Sequence, residues 1–245
     1  MKKLLFRASQ LNNILGGQDG LTEKQEITLN ELIAKEKRTD IQTKTMNELI
    51  AKRDAPISLS TGAKTEVRNL VKEIYLDYKR DIKSKYLDKG NQCEDEAIRL
   101  AGLYFGEIWD KNDVHFKNEY VMGTPDVIDT DLILDTKCSW SKDTFPLTSD
   151  EAHNPDYEAQ VRAYMWLLDK PKARVCYVGI TTPEDLCKWE NKDAHSFDDL
   201  SLEKRITYID YERDLKWEDN AKKKIEAARV YAEEYLNQVI NSKRK

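Results

Sequence analysis

Cysteine and histidine are scarce in this 245-residue chain, with four of one and three of the other. Cys93, Cys138, Cys176 and Cys187 are widely spaced and form no CxxC pair. A zinc or iron–sulfur site needs tighter spacing, so the four read as free thiols. His115, His153 and His195 stand alone, with no HxxxH or HxE beside them, and read as structural or surface residues. No apolar run approaches the length of a membrane span, and no membrane partner is expected. The start, Met1-Lys2-Lys3-Leu4-Leu5-Phe6-Arg7, has too few apolar residues for a secretory signal. The expected location is the cytoplasm, where disulfides are not expected either.

What is present is an ordinary globular composition, 40% hydrophobic and 35% charged. The length suits one large domain, or one domain with a small appendage. The net charge of −5 does not suggest a nucleic-acid binder, but its distribution is uneven. Residues 1–90 carry 18 Lys and Arg against 13 Asp and Glu, whereas residues 91–245 carry 22 against 32. An acidic half suits divalent metal and a basic third suits phosphate; a solvated helical surface accounts for the same counts.

Thr28-Leu29-Asn30-Glu31-Leu32-Ile33-Ala34-Lys35 recurs as Thr45-Met46-Asn47-Glu48-Leu49-Ile50-Ala51-Lys52, a period of 17 residues. Each copy places apolar residues on one helical face, predicting a pair of amphipathic helices within 21–52. A loop is expected over 56–62. Helices are predicted over 63–85, with Val67, Leu70, Val71, Ile74 and Tyr78 on one stripe, and over 92–108. Residues 115–122 alternate as one strand, and 127–128 with 132–138 form a hairpin about Asp129-Thr130-Asp131. A helix over 157–168, strands over 173–181 and 206–211, and a long charged helix over 217–241 complete the pattern. Helices around a mixed sheet give an α/β (α+β) class. The division expected is 1–62 for the helical segment and 63–245 for the main domain.

Gly123-Thr124-Pro125-Asp126 followed by Asp135-Thr136-Lys137 carries the chemistry. A turn near Thr130 sets Pro125–Asp126 opposite Leu134–Asp135, and cross-strand neighbours lie about 5 Å apart. Two carboxylates there suit one cation, with the Thr136 carbonyl as a further oxygen. Asp135 and Lys137 share a face, so Lys137 is placed to orient or deprotonate a water. Hydrolysis of a phosphodiester needs this combination. A salt bridge at a strand end accounts for the D-x-K triplet taken alone. Glu94 adds to the case, as the lone charge on a stripe of Ala97, Ile98, Ala101, Tyr104, Phe105 and Ile108. Such a carboxylate wants a metal or a cation, or else it interacts with a helix dipole. Gln160 shares a face with Ala163, Tyr164 and Leu167, and a helix polar on one side explains that equally.

In order along residues 89–182, Gly90-x-x-x-Glu94-x-x-Ala97, Gly123-Thr124-Pro125-Asp126, Asp135-Thr136-Lys137 and Ala159-Gln160-Val161-x-x-Tyr164-Met165-Trp166 resemble the motifs of phage lambda-type exonucleases. These are the viral recombinase branch of the PD-(D/E)xK nucleases, with a restriction-endonuclease-like core. A looser similarity includes Ala8-Ser9 and the final helix. The resemblance implies 5′→3′ digestion of one strand at ends of linear double-stranded DNA, leaving a 3′ overhang for a single-strand annealing partner. It implies Mg²⁺, with Mn²⁺ able to substitute, held by Asp126, Asp135 and the Thr136 carbonyl, with Glu94 helping a second ion. Lys137 would position the water and Gln160 would support the geometry, with Tyr164 beside it. Thr124, joined by Ser9, would hold the terminal 5′-phosphate. The resemblance also implies a homotrimer, and a bacterial host cell for a phage-encoded chain. Asp135 stands where the commoner residue is Glu, and the duplicated helices at 21–52 are outside the pattern. The three clustered C-terminal cysteines of the iron–sulfur relatives are missing, so no such cluster is expected. The competing readings are a structure-specific or restriction-like endonuclease and a non-catalytic DNA-binding recombination scaffold.

Overall fold

The computed structural model of the chain describes residues 4–16, 20–55, 57–81 and 83–242. The basic start at Met1, Lys2 and Lys3, Pro56 of the expected loop, and Ile82 of the helix expected over 63–85 lie outside these residues. In chain order, strand β1 (Phe6–Arg7) and a 3-10 turn (Ala8–Gln10) lead into the short α1 (Asn12–Leu15). The helices α2 (Glu23–Ala34), α3 (Asp40–Asp54), α4 (Thr61–Tyr75) and α5 (Lys85–Phe105) follow. Then come β2 (Phe116–Lys117), β3 (Val121–Gly123), β4 (Val127–Ile128), β5 (Leu132–Cys138), α6 (Ser149–Ala152) and α7 (Pro155–Leu168). β6 (Lys172–Val178), α8 (Lys192–His195), β7 (Ile206–Glu212) and α9 (Leu215–Ser242) complete the order. No helix among the described residues is long and apolar enough to cross a membrane.

The chain divides into two compact units, residues 4–12 with 73–220, and residues 13–72 with 221–242. The first holds both sheets. One is three-stranded in the order β1-β3-β2, with β1 parallel and β2 antiparallel to β3. The other runs β4-β5-β6-β7, with β5 and β6 parallel and the outer pairs antiparallel. This is a mixed α/β core, a central mixed sheet flanked by helices, in a chain with an N-terminal helical extension. Ile133, Leu134, Val175, Cys176 and Val178 of the central strands are fully buried. One face of β5 and β6 packs with Cys93, Ala97, Ile98 and Ala101 of α5, while α7 supplies side chains to the alternate residues of β5.

In the second unit the 17-residue repeat reaches further than its apolar positions. Thr22 and Thr39 each cap a helix by accepting from the N–H of Gln25 and Gln42, whose side chains reach back to the capping residue. Leu29, Leu32 and Leu49 are buried between α2 and α3. The copies part at their ends. Arg38 donates to the carbonyls of Leu32 and Ile33, closing α2, while α3 continues to Asp54.

Three elements differ from expectation. α4 stops at Tyr75, where Asp77 takes a left-handed backbone (φ 49°) and Ile74 and Tyr78 are exposed. Its buried side chains are Ala63, Val67 and Val71, so the apolar stripe has no more to bury beyond Val71. α5 begins at Lys85 instead of after Gly90, because the Ser84 hydroxyl accepts from the N–H of Tyr86 and sets the first turn. It ends before Ile108 because Gly106 adopts φ 75° and the Gly102 carbonyl takes the N–H groups of Gly106 and Glu107. Residues 115–122 are not one strand but the hairpin β2–β3. The Asn118 carboxamide oxygen accepts from the N–H groups of Tyr120 and Val121 and folds the turn.

The early start of α5 places Lys89 in line with Cys93, Ala97 and Ala101, and the lysine is fully buried. Its Nζ donates to the carbonyls of Ser139 (2.5 Å) and Ile180 (2.8 Å) and to Thr182 Oγ1 (2.8 Å), with the Trp140 carbonyl at 3.2 Å. These groups follow the C-terminal ends of β5 and β6, so one ammonium ties the helix to both parallel strands. Burial pulls its pKa below the ordinary lysine value. Lys89→Met keeps the volume but leaves several buried carbonyls unpaired, at a cost on the order of 3 kcal/mol. Urea unfolding should show a lower midpoint at unchanged slope; an unchanged midpoint would refute the clamp.

Candidate active site

The β4–β5 hairpin sets the site. Its register pairs Val127 with Leu134 and Ile128 with Ile133, which carries Asp126 to the level of Asp135. The turn is closed by the Asp129 N–H on the Leu132 carbonyl (2.8 Å) and the Thr130 N–H on Asp129 Oδ1 (2.7 Å). Asp126 Oδ2 then accepts from the Thr136 N–H (2.7 Å) and hydroxyl (2.8 Å), which fixes its carboxylate across the hairpin.

Asp135 is 1% exposed, at the end of the apolar run Ile133-Leu134. Burying a lone carboxylate there costs several kcal/mol, so it requires partners. Lys137 Nζ lies 2.5 Å from Asp135 Oδ2, and Gln160 Nε2 donates to Asp135 Oδ1 at 3.1 Å. Burial pushes the Asp135 carboxyl up to about 6; the Lys137 charge opposes this, while Asp126 and Glu94 add to it. Burial alone would lower Lys137, but the charges of Asp135 and Asp126 more than offset it and hold its ammonium above the ordinary value.

Gln160 is the junction. Besides Asp135, its Nε2 donates to the Tyr164 hydroxyl (3.1 Å), and its Oε1 faces Lys137 Nζ at 3.4 Å. Tyr164 passes the connection on by donating to the Thr124 carbonyl (3.2 Å). The Lys137 ammonium also sits 4.4 Å above the Tyr157 ring. Tyr157, Gln160 and Tyr164 lie at i, i+3 and i+7 on α7, so the helical stripe carried the signal that includes Tyr157.

Glu94 enters from α5, half-buried, with Lys111 Nζ 3.5 Å from its Oε1 and 3.0 Å from Asp95 Oδ1. Burial first, and then the charge of Asp126, raise the Glu94 carboxyl, and Lys111 opposes them. Glu94 thus feels Asp126 while its direct partner is Lys111, a residue the sequence patterns did not single out. Thr124 is exposed, and its Oγ1 lies 3.0 Å from His115 Nδ1. Ser9 is exposed on the 3-10 turn after β1, and that turn packs on α7 and β3.

Among the described residues, no group of three or more His, Cys, Asp or Glu side chains is gathered as around a metal ion. The donor chemistry nevertheless fits a hard divalent cation. Asp126 and Asp135 offer carboxylate oxygens at one level of a hairpin, and buried Asp135 Oδ2 has the Lys137 ion pair but no hydrogen bond.

Gly123 keeps this arrangement closed. A Cβ there would stand 2.5 Å from Tyr164 Cε1 and 3.2 Å from the Ala8 methyl. Gly123→Ala should displace the Tyr164 ring and cost about 1–3 kcal/mol. Thermal unfolding checks this, with Tyr164→Ala/Gly123→Ala expected to show less than the summed loss. Full additivity would mean that the ring does not set the constraint.

No family model and no curated protein matches the chain. Among solved structures it is similar to a phage-related exonuclease from Haemophilus somnus 129PT, with 26% identity over 97% of each chain and a TM-score of 0.77. An alkaline exonuclease from Laribacter hongkongensis shares the fold, with 12% identity over 98% of this chain and 95% of that one and a TM-score of 0.58. The same Laribacter enzyme in complex with dAMP gives a TM-score of 0.56, at 13% identity over 97% of each chain. With the ordered motifs, these likenesses make the chain one that resembles the phage lambda-type exonucleases, on a PD-(D/E)xK-like fold.

Proposed function

We propose that this protein is a metal-dependent deoxyribonuclease that digests linear double-stranded DNA from its ends, 5′→3′, leaving 3′ single-stranded overhangs for an annealing partner. The observation that carries the reading is the buried Asp135–Lys137 pair, bridged by Gln160 and faced across the hairpin by Asp126. A sheet core does not need these charges for stability, since an apolar replacement of similar volume is often as good. The exonuclease from Haemophilus somnus, similar along nearly the whole chain, supports the same activity. The nuclease is assigned to the unit of residues 4–12 and 73–220, which holds both sheets and Ser9, with the duplicated helices of 21–52 as an appendage.

Asp126, Asp135 and the Thr136 carbonyl would hold Mg²⁺, or Mn²⁺ in its place, and Glu94 would serve a second ion. When bound, the cation supplies charge neutralisation at the phosphate and a water of lowered pKa. Lys137 Nζ, protonated and held by Asp135 and Gln160, donates to the attacking water and orients it toward phosphorus. Gln160 keeps the Asp135 carboxylate and the Lys137 ammonium in one geometry, and Tyr164 anchors Gln160 to the Thr124 backbone. The hydroxyls of Thr124 and Ser9 would receive the terminal 5′-phosphate. A homotrimer enclosing the duplex would keep the enzyme on its substrate between cleavages.

Digestion of 5′-phosphorylated linear duplex with Mg²⁺ tests the reading. Lys137→Ala and Asp126→Ala should each lower the rate by about 10²–10⁴-fold. Variants as fast as the wild type would show the site to be wrong. Covalently closed circular duplex should stay intact, and its cutting would favour an endonuclease. Thr124→Ala should reduce the preference for a 5′-phosphate over a 5′-hydroxyl by about tenfold. An unchanged preference would remove Thr124 from the phosphate pocket.

A further inference from the structure

We propose that His115 is a specificity-determining residue that reads the terminal 5′-phosphate together with Thr124 and Ser9; this rests on the exonuclease reading above. The three-stranded sheet places these residues. β3 is its middle strand, with β1 on one side and β2 on the other. The β2–β3 register pairs Phe116 with Gly123, so the next step outward sets His115 against Thr124. β1 ends at Arg7, opposite Met122, and Ser9 follows on the 3-10 turn that packs on β3. His115 and Thr124 therefore stand side by side where the sheet ends, an imidazole and a hydroxyl, both exposed, and the Ser9 hydroxyl is exposed on the turn after β1.

His115 Nδ1 lies 3.0 Å from Thr124 Oγ1. Either tautomer of the ring leaves this pair with a donor to offer. If the hydroxyl donates to Nδ1, the Nε2–H is free. If Nδ1–H donates to Oγ1, the Thr124 hydroxyl hydrogen is free and more acidic for its partner. A phosphate monoester presents acceptor oxygens only, so it matches the pair in both states. The His115–Thr124 pair is also held in place. Asn118 fixes the β2–β3 turn, the Thr124 carbonyl accepts from the buried Tyr164, and Tyr164 bonds Gln160 beside Lys137. The same chain of contacts joins Thr124 to Asp135, so a phosphate bound at this pair has a defined position relative to the hydrolytic residues.

The test compares linear duplexes of one sequence that differ only in carrying 5′-phosphate or 5′-hydroxyl ends. Initial rates with Mg²⁺ are read as a ratio for wild type, His115→Ala, Thr124→Ala and the double variant. The same ratio is read as affinities, from fluorescence anisotropy of end-labelled duplex without metal. His115→Ala should lower the phosphate preference about five- to tenfold, and the double variant should lower it little more than Thr124→Ala alone. If His115→Ala keeps the full preference while Thr124→Ala loses it, His115 is only a cross-strand contact and this inference is overturned. If wild type shows no phosphate preference in rate or affinity, the pocket and His115 fall together and end-dependent digestion stands. If wild type leaves linear duplex intact yet binds the phosphorylated end more tightly through His115, the exonuclease reading falls and the phosphate site remains.

Discussion

An ionised side chain inside a sheet core has to be answered, and the arrangement around β5 follows from that constraint. Asp135 and Lys137 follow directly on Ile133 and Leu134, with Asp135 as buried as its apolar neighbours. Their attraction offsets the loss of hydration only when the remaining polar atoms are also met. Gln160 meets them from α7, and Tyr164 and Thr124 extend the contacts to the neighbouring sheet. Asp126 is held separately, by the N–H and hydroxyl of Thr136. The two carboxylates are thereby kept at one level although each raises the free energy of the other.

Such a site needs a frame that does not yield, and Lys89 supplies part of it. The strands β5 and β6 are parallel, so both end on the same side of the sheet. Carbonyls left over after those ends converge on one buried ammonium from α5, the helix that also carries Glu94. The packing of α5 on the sheet and the position of Glu94 relative to Asp126 are thus fixed by the same helix register.

Much of the site was legible because it depends on short-range arithmetic. Alternation over 127–138 and turn residues at 129–131 are enough to bring Asp126 opposite Asp135. Helical spacing is enough to set Gln160 and Tyr164 on one stripe, and the fold brings them into contact. The errors arose where a side chain acts on the backbone. Asn118 breaks an alternating run into a hairpin, and Ser84 starts α5 upstream of Gly90 and of the expected start at residue 92. At Gly90 a Cβ would meet nothing within 4 Å, so that glycine neither ends the helix nor answers a packing need.

The sequence by itself determined the class of the chain, the hairpin register and the acidic, lysine and glutamine positions, because each follows from periods of 2 and 3.6 residues. The tertiary structure decided what no period contains. His115 reads as isolated until β2 folds back on β3 and sets it against Thr124. Lys89 belongs to no motif of the sequence, and its role comes from the ends of two strands, 50 and 91 residues away, that enclose it. Glu94 reads as a carboxylate in search of a cation, and folding gives it Lys111 as its direct partner. For Lys89 the partners come from distant segments that the packing of α5 on the sheet brings in, whereas for His115 and Glu94 the partner is near in sequence and the path of the backbone between them sets it in place.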